Sequence, residues 1–199
     1  MKKILLATAL AAVSISAVEA KWDGFYSRGS LAVRLNGETN MKGNDLLEGN
    51  RCYFGILLDV AGGWGATVAN NSIYLGVDAQ LGNIKIALDN PTRDAGAIWT
   101  FTYRPVLHGR IGLPLNNVMP YVAGGVGYMT TTTLGSSKKL VDLPKGMSIS
   151  ARLGVDVKVD DNWFVGGYFQ FEHCTIVDSQ QRYLDANEVV TGFSVGYQF

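Results

Sequence analysis

The 199-residue chain balances 17 Lys and Arg against 17 Asp and Glu, is 47% hydrophobic, and carries 24 Gly but only 2 Cys. Its length suits one domain, its neutrality leaves no electrostatic footprint for DNA or RNA, and two cysteines cannot build a disulfide scaffold. So high an apolar fraction excludes a disordered chain, which leaves an ordered fold with an unusual demand for glycine.

Lys2 and Lys3 precede an uncharged stretch from Ile4 to Val18, and Val18-Glu19-Ala20 ends on a small residue. This is the layout of a secretory signal peptide. We expect residues 1–20 to be an export signal and residues 21–199 the mature domain, with 15 positive and 16 negative groups. The apolar stretch is short of the roughly 20 residues that a membrane helix needs. No later segment supplies such a run, so any membrane role falls to strands.

Beyond the signal the chain reads in period two, the strand periodicity. Eight strands are predicted, near residues 24–35, 51–61, 72–81, 99–113, 118–129, 147–159, 162–173 and 189–199. In the sixth, Met147, Ile149, Ala151, Leu153, Val155, Val157 and Val159 alternate with Ser148, Ser150, Arg152, Gly154, Asp156 and Lys158. Long connections (36–50, 82–98, 130–146, 174–188) alternate with short ones at Ala61 to Asn71, Leu115 to Asn117 and Asp160 to Asn162. Long and short in turn is the mark of an up-and-down meander. The expected fold is all-β, an eight-stranded antiparallel up-and-down transmembrane barrel whose strands have about the 9–11 residues of a tilted bilayer crossing.

Alternation alone does not separate a soluble barrel, apolar inside, from a membrane barrel, apolar outside. An apolar face free of charge suits both. Glycine separates them better: Gly24, Gly55, Gly76, Gly112, Gly154, Gly166, Gly192 and Gly196 share the polar face, against Gly29, Gly109 and Gly167 on the apolar one. On a solvated surface glycine only weakens a strand; in a narrow lumen it makes room for the long charged side chains beside it. Trp22, Trp64, Trp163, Tyr197 and Phe199 fall at one end of their strands and Trp99, Phe101 and Tyr128 near the other, as interfacial girdles would.

Several segments then carry a family resemblance. They are Trp22-Asp23-Gly24-Phe25-Tyr26, Ile73-Tyr74-Leu75-Gly76-Val77-Asp78, His108-Gly109-Arg110-Ile111-Gly112, the run from Pro120 to Tyr128, Asp161-Asn162-Trp163 and the final Gly196-Tyr197-Gln198-Phe199. In this order the chain resembles the small outer-membrane barrels of the opacity and attachment-invasion type, above all the surface-antigen proteins of alphaproteobacteria. The resemblance implies the outer membrane of a Gram-negative bacterium, contact with its lipid, and a terminal signal, Tyr197 and Phe199, read by the outer-membrane assembly machinery. Two departures are visible. His108 stands where the family more often has Arg, and Pro105, which cannot donate to a ladder, predicts a bulge in the fourth strand.

By parity the lumen should hold Arg28, Arg34, Arg104, Arg110, Arg152 and Lys158 with Asp59, Asp78, Asp156 and Glu172, and His108 as a hydrogen-bonding member. Mixed signs predict interleaved ion pairs and a plug; a narrow ion path is the alternative. Glu172-His173-Cys174-Thr175 superficially offers acid, base and nucleophile, but His173 points away from its two neighbours in an extended strand. No catalytic, metal or cofactor site is expected. Cys52 and Cys174 both fall at the long-loop end, where a disulfide and two separate thiols are both open readings. The loops are where a host-surface ligand would bind. The leading expectation is a non-enzymatic surface protein serving envelope integrity, adhesion or immune interaction. A small pore or ligand-uptake barrel comes next, and a lipid A-modifying enzyme last.

Overall fold

The computed structural model describes residues 21–41, 55–87, 99–134, 145–177 and 183–199. The expected export signal, Cys52, most of the four long connections, and the side chains of Arg34, Trp99 and Phe101 lie outside the described residues. Nine strand segments follow in order: β1 (Gly24–Met41), β2 (Gly55–Val68), β3 (Ile73–Ala87), β4 (Trp99–Tyr103), β5 (Val106–Gly112), β6 (Val118–Leu134), β7 (Lys145–Lys158), β8 (Trp163–Val177) and β9 (Tyr183–Gln198). Each pairs antiparallel with its neighbours, and β9 returns to β1 through Tyr26↔Gln198 to close the sheet. The segments β4 and β5 are one stave interrupted at Pro105, so the barrel has eight staves.

The interruption is milder than a bulge on one side. Both segments keep a single register against β6, Tyr103 opposite Thr130 and Val106 opposite Gly127, and Tyr128 N donates to Pro105 O at 3.1 Å. Toward β3 the register does shift, between Asn83↔Thr102 and Gln80↔Val106. The missing N–H of proline falls on the β6 side, where Pro105 O still accepts from Tyr128 N and the register holds, while the register shift is confined to the β3 edge.

Strand ends correct the sequence reading in two places. Residues 62–68 read as a Gly-rich connection, yet they are strand, and the turn is only Ala69, Asn70, Asn71 and Ser72. At the opposite end β1, β3, β6, β8 and β9 run well into segments read as loops, so residues 174–177 and 183–188 extend a ladder. A polar alternation there breaks no rule, because beyond the hydrocarbon a ladder needs only its hydrogen bonds.

The short turns are built by local chemistry. Ala69, Asn70 and Asn71 (φ 53, 57 and 64°) and Asn116 (φ 57°) take left-handed conformations, which Asn tolerates and Ala seldom adopts. In the last turn Asp160 Oδ1 accepts from Asn162 N at 2.8 Å and Trp163 N at 2.7 Å. Those two backbone donors, Trp163 first, hold the Asp160 carboxyl below the usual carboxylate range. Its support of the turn is thus complete above the ordinary carboxylate pKa and is lost as pH falls through the depressed one.

The outside is apolar. Leu31, Val60, Leu107, Val126, Ile149, Leu153 and Phe193 all point away from the lumen with more than half their surface open. So continuous an apolar exterior is a surface for lipid. At the short-turn end Phe25, Trp64, Trp163 and Phe199 stand exposed, and Tyr197 packs edge-on between Trp163 and Phe199 at 5.1 and 5.2 Å. Trp22 does not join this girdle; it is buried inside.

Inward glycines face aromatic rings more than charged side chains. Tyr26 lies opposite Gly63, Tyr121 opposite Gly154, Tyr168 opposite Gly192 and Phe164 opposite Gly196, and each ring occupies the space a Cβ would need. Outward Gly29 and Gly109 would meet nothing within 4 Å. We expect Gly63→Ala, whose Cβ would come 2.5 Å from the Tyr26 ring and 2.7 Å from Val77 O, to cost about 1–3 kcal/mol. Gly109→Ala should stay within about 0.5 kcal/mol, both read by urea unfolding in lipid vesicles.

Candidate functional site: the lumen and its seal

Period two sends every second residue inward, and among the described residues the buried charges are Arg28, Arg104, Arg110, Arg152 and Lys158 against Asp59, Asp78, Asp156, Glu172 and Glu188. Five cations meet five anions in a space about wide enough for side chains. They form layers along the axis.

Nearest the short turns, Arg110 pairs with Asp156. Its guanidinium lies 3.5 Å from the centroid of the Tyr121 ring and 5.6 Å from that of Tyr74. Such stacking on an aromatic face adds to the ion pair. The next layer centres on Asp78, which accepts from Tyr26 OH at 3.1 Å and lies 3.5 Å from Arg28 and 3.3 Å from His108 Nδ1. His108 Nε2 is 3.2 Å from Ser150 Oγ. His108 fits here because Gly125 lies opposite it and leaves the ring its space.

Above that, Arg152 donates to Gln170 Oε1 at 2.8 Å and Gln80 Oε1 at 3.1 Å, and stacks 4.5 Å from the centroid of Tyr168. Tyr168 OH reaches Asp59 at 3.3 Å. Gln170 Nε2 donates to Glu172 at 3.2 Å and joins this layer to the last. There Arg104 bridges Glu172 at 2.7 Å and Glu188 at 3.7 Å, and Cys174 Sγ lies 3.7 Å from Glu172 Oε1. His173 points the other way and bonds Asn187 Oδ1 at 2.8 Å.

The short-turn mouth is closed by the segment Lys21-Trp22-Asp23. Lys158 Nζ donates to Lys21 O and, at 2.8 Å, to Asp161 O. Trp22 Nε1 donates to Asn116 O at 3.1 Å while its ring packs on Phe164 at 6.4 Å. Asp23 Oδ1 accepts from Thr67 N and from Thr67 Oγ1, and Gln198 Nε2 donates to Asp23 O. Contacts from β2, β7, β9 and the β5–β6 turn thus converge on three residues.

The structure places Arg28, Asp59, Asp78, Arg104, His108, Arg110, Arg152, Asp156, Lys158 and Glu172 in the buried interior. Sequence reasoning missed Tyr26, Tyr74, Tyr121, Phe164 and Tyr168, although all but Tyr121, whose strand β6 carries no charged residue, share the parity of a charged lumenal residue on their own strand. It also missed Glu188, which fell in an expected loop, and the role of Trp22. The Cys52–Cys174 expectation involves Cys52, outside the described residues, while Cys174 is buried. Among the described residues no cluster of three metal-ligating side chains forms.

An apolar exterior on a closed antiparallel sheet of eight staves, filled by paired charges, defines an outer-membrane β-barrel protein. The chain belongs to the outer membrane protein beta-barrel domain family, whose model matches residues 4–199. Solved structures share the fold. Neisserial surface protein A aligns at 14% identity with a TM-score of 0.57, over 88% of this chain and 97% of its own. The outer membrane protein OprG of Pseudomonas aeruginosa aligns at 14% with a TM-score of 0.52, over 90% and 97%. No curated protein sequence matches. The protein resides in the outer membrane of a Gram-negative bacterium; these matches do not single out an alphaproteobacterial group.

Removing one partner of a buried pair leaves the other charge uncompensated. Asp78→Ala strands Arg28 and should cost about 3–5 kcal/mol in the same unfolding measurement. Combining Asp78→Leu with Arg28→Met should return most of that loss.

Proposed function

We propose that the protein is a non-enzymatic surface protein that supports envelope integrity and presents its four long connections to a host-surface ligand. The observation that carries this reading is the filled lumen, five buried basic and five buried acidic side chains with Trp22 seated in one mouth. A rigid filled barrel suits display, because binding resides in connections that a fixed scaffold holds. Residues 1–20 act as the export signal in this reading, and Tyr197 with Phe199 as the assembly signal.

One arrangement speaks for an enzyme. Asp78, His108 and Ser150 stand in the order acid, base, hydroxyl, the logic of a hydrolytic triad. We read it as structural. Asp78 is shared with Arg28 and Tyr26, His108 has no exposed surface, and Ser150 Oγ packs against His108 and Gly125. Ser150→Ala should leave the cell's lipid A acylation unchanged.

Purified protein in planar bilayers should show no discrete openings; reproducible single-channel steps would favour the pore reading instead. Cells lacking the protein should lose detergent and bile resistance, attachment to host surfaces, or both. Unchanged behaviour in the two assays would overturn the proposal.

A further inference from the structure

A cavity of about 520 Å³ opens at the short-turn end, lined by Lys21, Asp23, Thr67, Asn70, Asn71 and Asn116 with the edges of Trp22 and Pro114. In outer-membrane barrels this end faces the periplasm. The cavity lies between two turns whose residues are held in left-handed backbone, Ala69 to Asn71 and Asn116. Backbone of that kind persists only where the surroundings hold it, and it clusters at binding sites.

The hydrogen bonds show which groups remain to a visitor. Thr67 Oγ1 lies 2.8 Å from Asp23 Oδ1 and 3.0 Å from Asn71 Oδ1. A hydroxyl has one proton, and the carboxylate is the stronger acceptor. The Asn71 amide is therefore turned to give its NH₂ to the hydroxyl, an assignment made on the network. Asp23 spends Oδ1 on Thr67, and it lines the cavity together with the exposed Lys21.

We propose that this cavity binds the end of a short peptide carrying both a free amine and a free carboxylate, in the periplasm the stem peptides of the cell wall. Lys21 takes the carboxylate, Asp23 Oδ2 the amine, and Asn70, Asn71 and Asn116 the intervening amides. The volume holds a few residues rather than a single amino acid. The site is separate from the long connections and adds a periplasmic attachment to the envelope role proposed above, so it rests on that reading only for its biological meaning.

The test is titration of the refolded protein in detergent with a soluble disaccharide tetrapeptide from digested cell wall, followed by amide chemical shifts or calorimetry. Saturable binding is expected, with shifts centred on residues 67–71 and 116. Lys21→Glu and Asn71→Asp should each weaken it about tenfold, roughly 1.4 kcal/mol. Neither should alter the gel mobility of the folded form, because Lys158 uses the backbone carbonyl of residue 21 and Asp tolerates left-handed backbone. Equal binding by an ordinary L-tripeptide would keep the chemistry and name free peptides as the source. No saturable binding, or undiminished binding of a probe with its amine acetylated and carboxylates amidated, would overturn the proposal. Neither result bears on conductance or attachment, which test the display reading independently.

Discussion

Ten acidic and basic side chains share a lumen barely wide enough for them, and most other features of this barrel follow from pairing them. A charge left alone there costs several kcal/mol, so the signs interleave along the axis and amides bridge the layers. The same demand holds the strands in register. Slipping β7 by one residue would turn Arg152, Asp156 and Lys158 toward lipid. A basic residue at the bilayer midplane costs about 2–4 kcal/mol, with less for acids and near the interfaces. The sum is a large share of the roughly 5–15 kcal/mol by which proteins are stable at all.

Glycine is the other half of that packing. Rings of Tyr26, Tyr121, Phe164 and Tyr168 cross to the neighbouring strand and lie over a glycine there. Two of them then serve the charges: Tyr121 and Tyr168 give their faces to Arg110 and Arg152. Tyr26 and Tyr168 also give their hydroxyls to Asp78 and Asp59. The glycine surplus of the composition is therefore spent on aromatic rings, which in turn line the cavities where the guanidinium groups sit.

The fold was legible because its signals are local. Period two, the alternation of long and short connections and an uncharged exterior each survive in a few residues, as in β7. The charged lumen was legible for the same reason, since parity alone puts Arg28 and Asp156 inside. Partners were not, because they depend on register between strands distant in sequence: Arg110 with Asp156, or Arg152 with Gln80. Trp22 was misplaced because a girdle residue and a mouth plug look alike in sequence, and only the Asn116 carbonyl and the Phe164 ring distinguish them. Glu188 was lost with the strand ends. Outside the hydrocarbon, hydrophobicity no longer marks a strand, although the ladder continues through Glu172↔Glu188.

His108 shows how closely the charge balance is drawn. The barrels that the sequence resembles more often have an arginine there, which here would set six buried cations against five anions. It would also place a second cation beside Asp78, in a layer that already holds Arg28, with Arg152 directly above. An imidazole need not carry a charge, and it still reaches Asp78 with one nitrogen and Ser150 with the other. Its ring fits against Gly125, where an added Cβ would come 2.4 Å from His108 Cδ2. The departure from the family pattern is thus the substitution that this set of five acids permits.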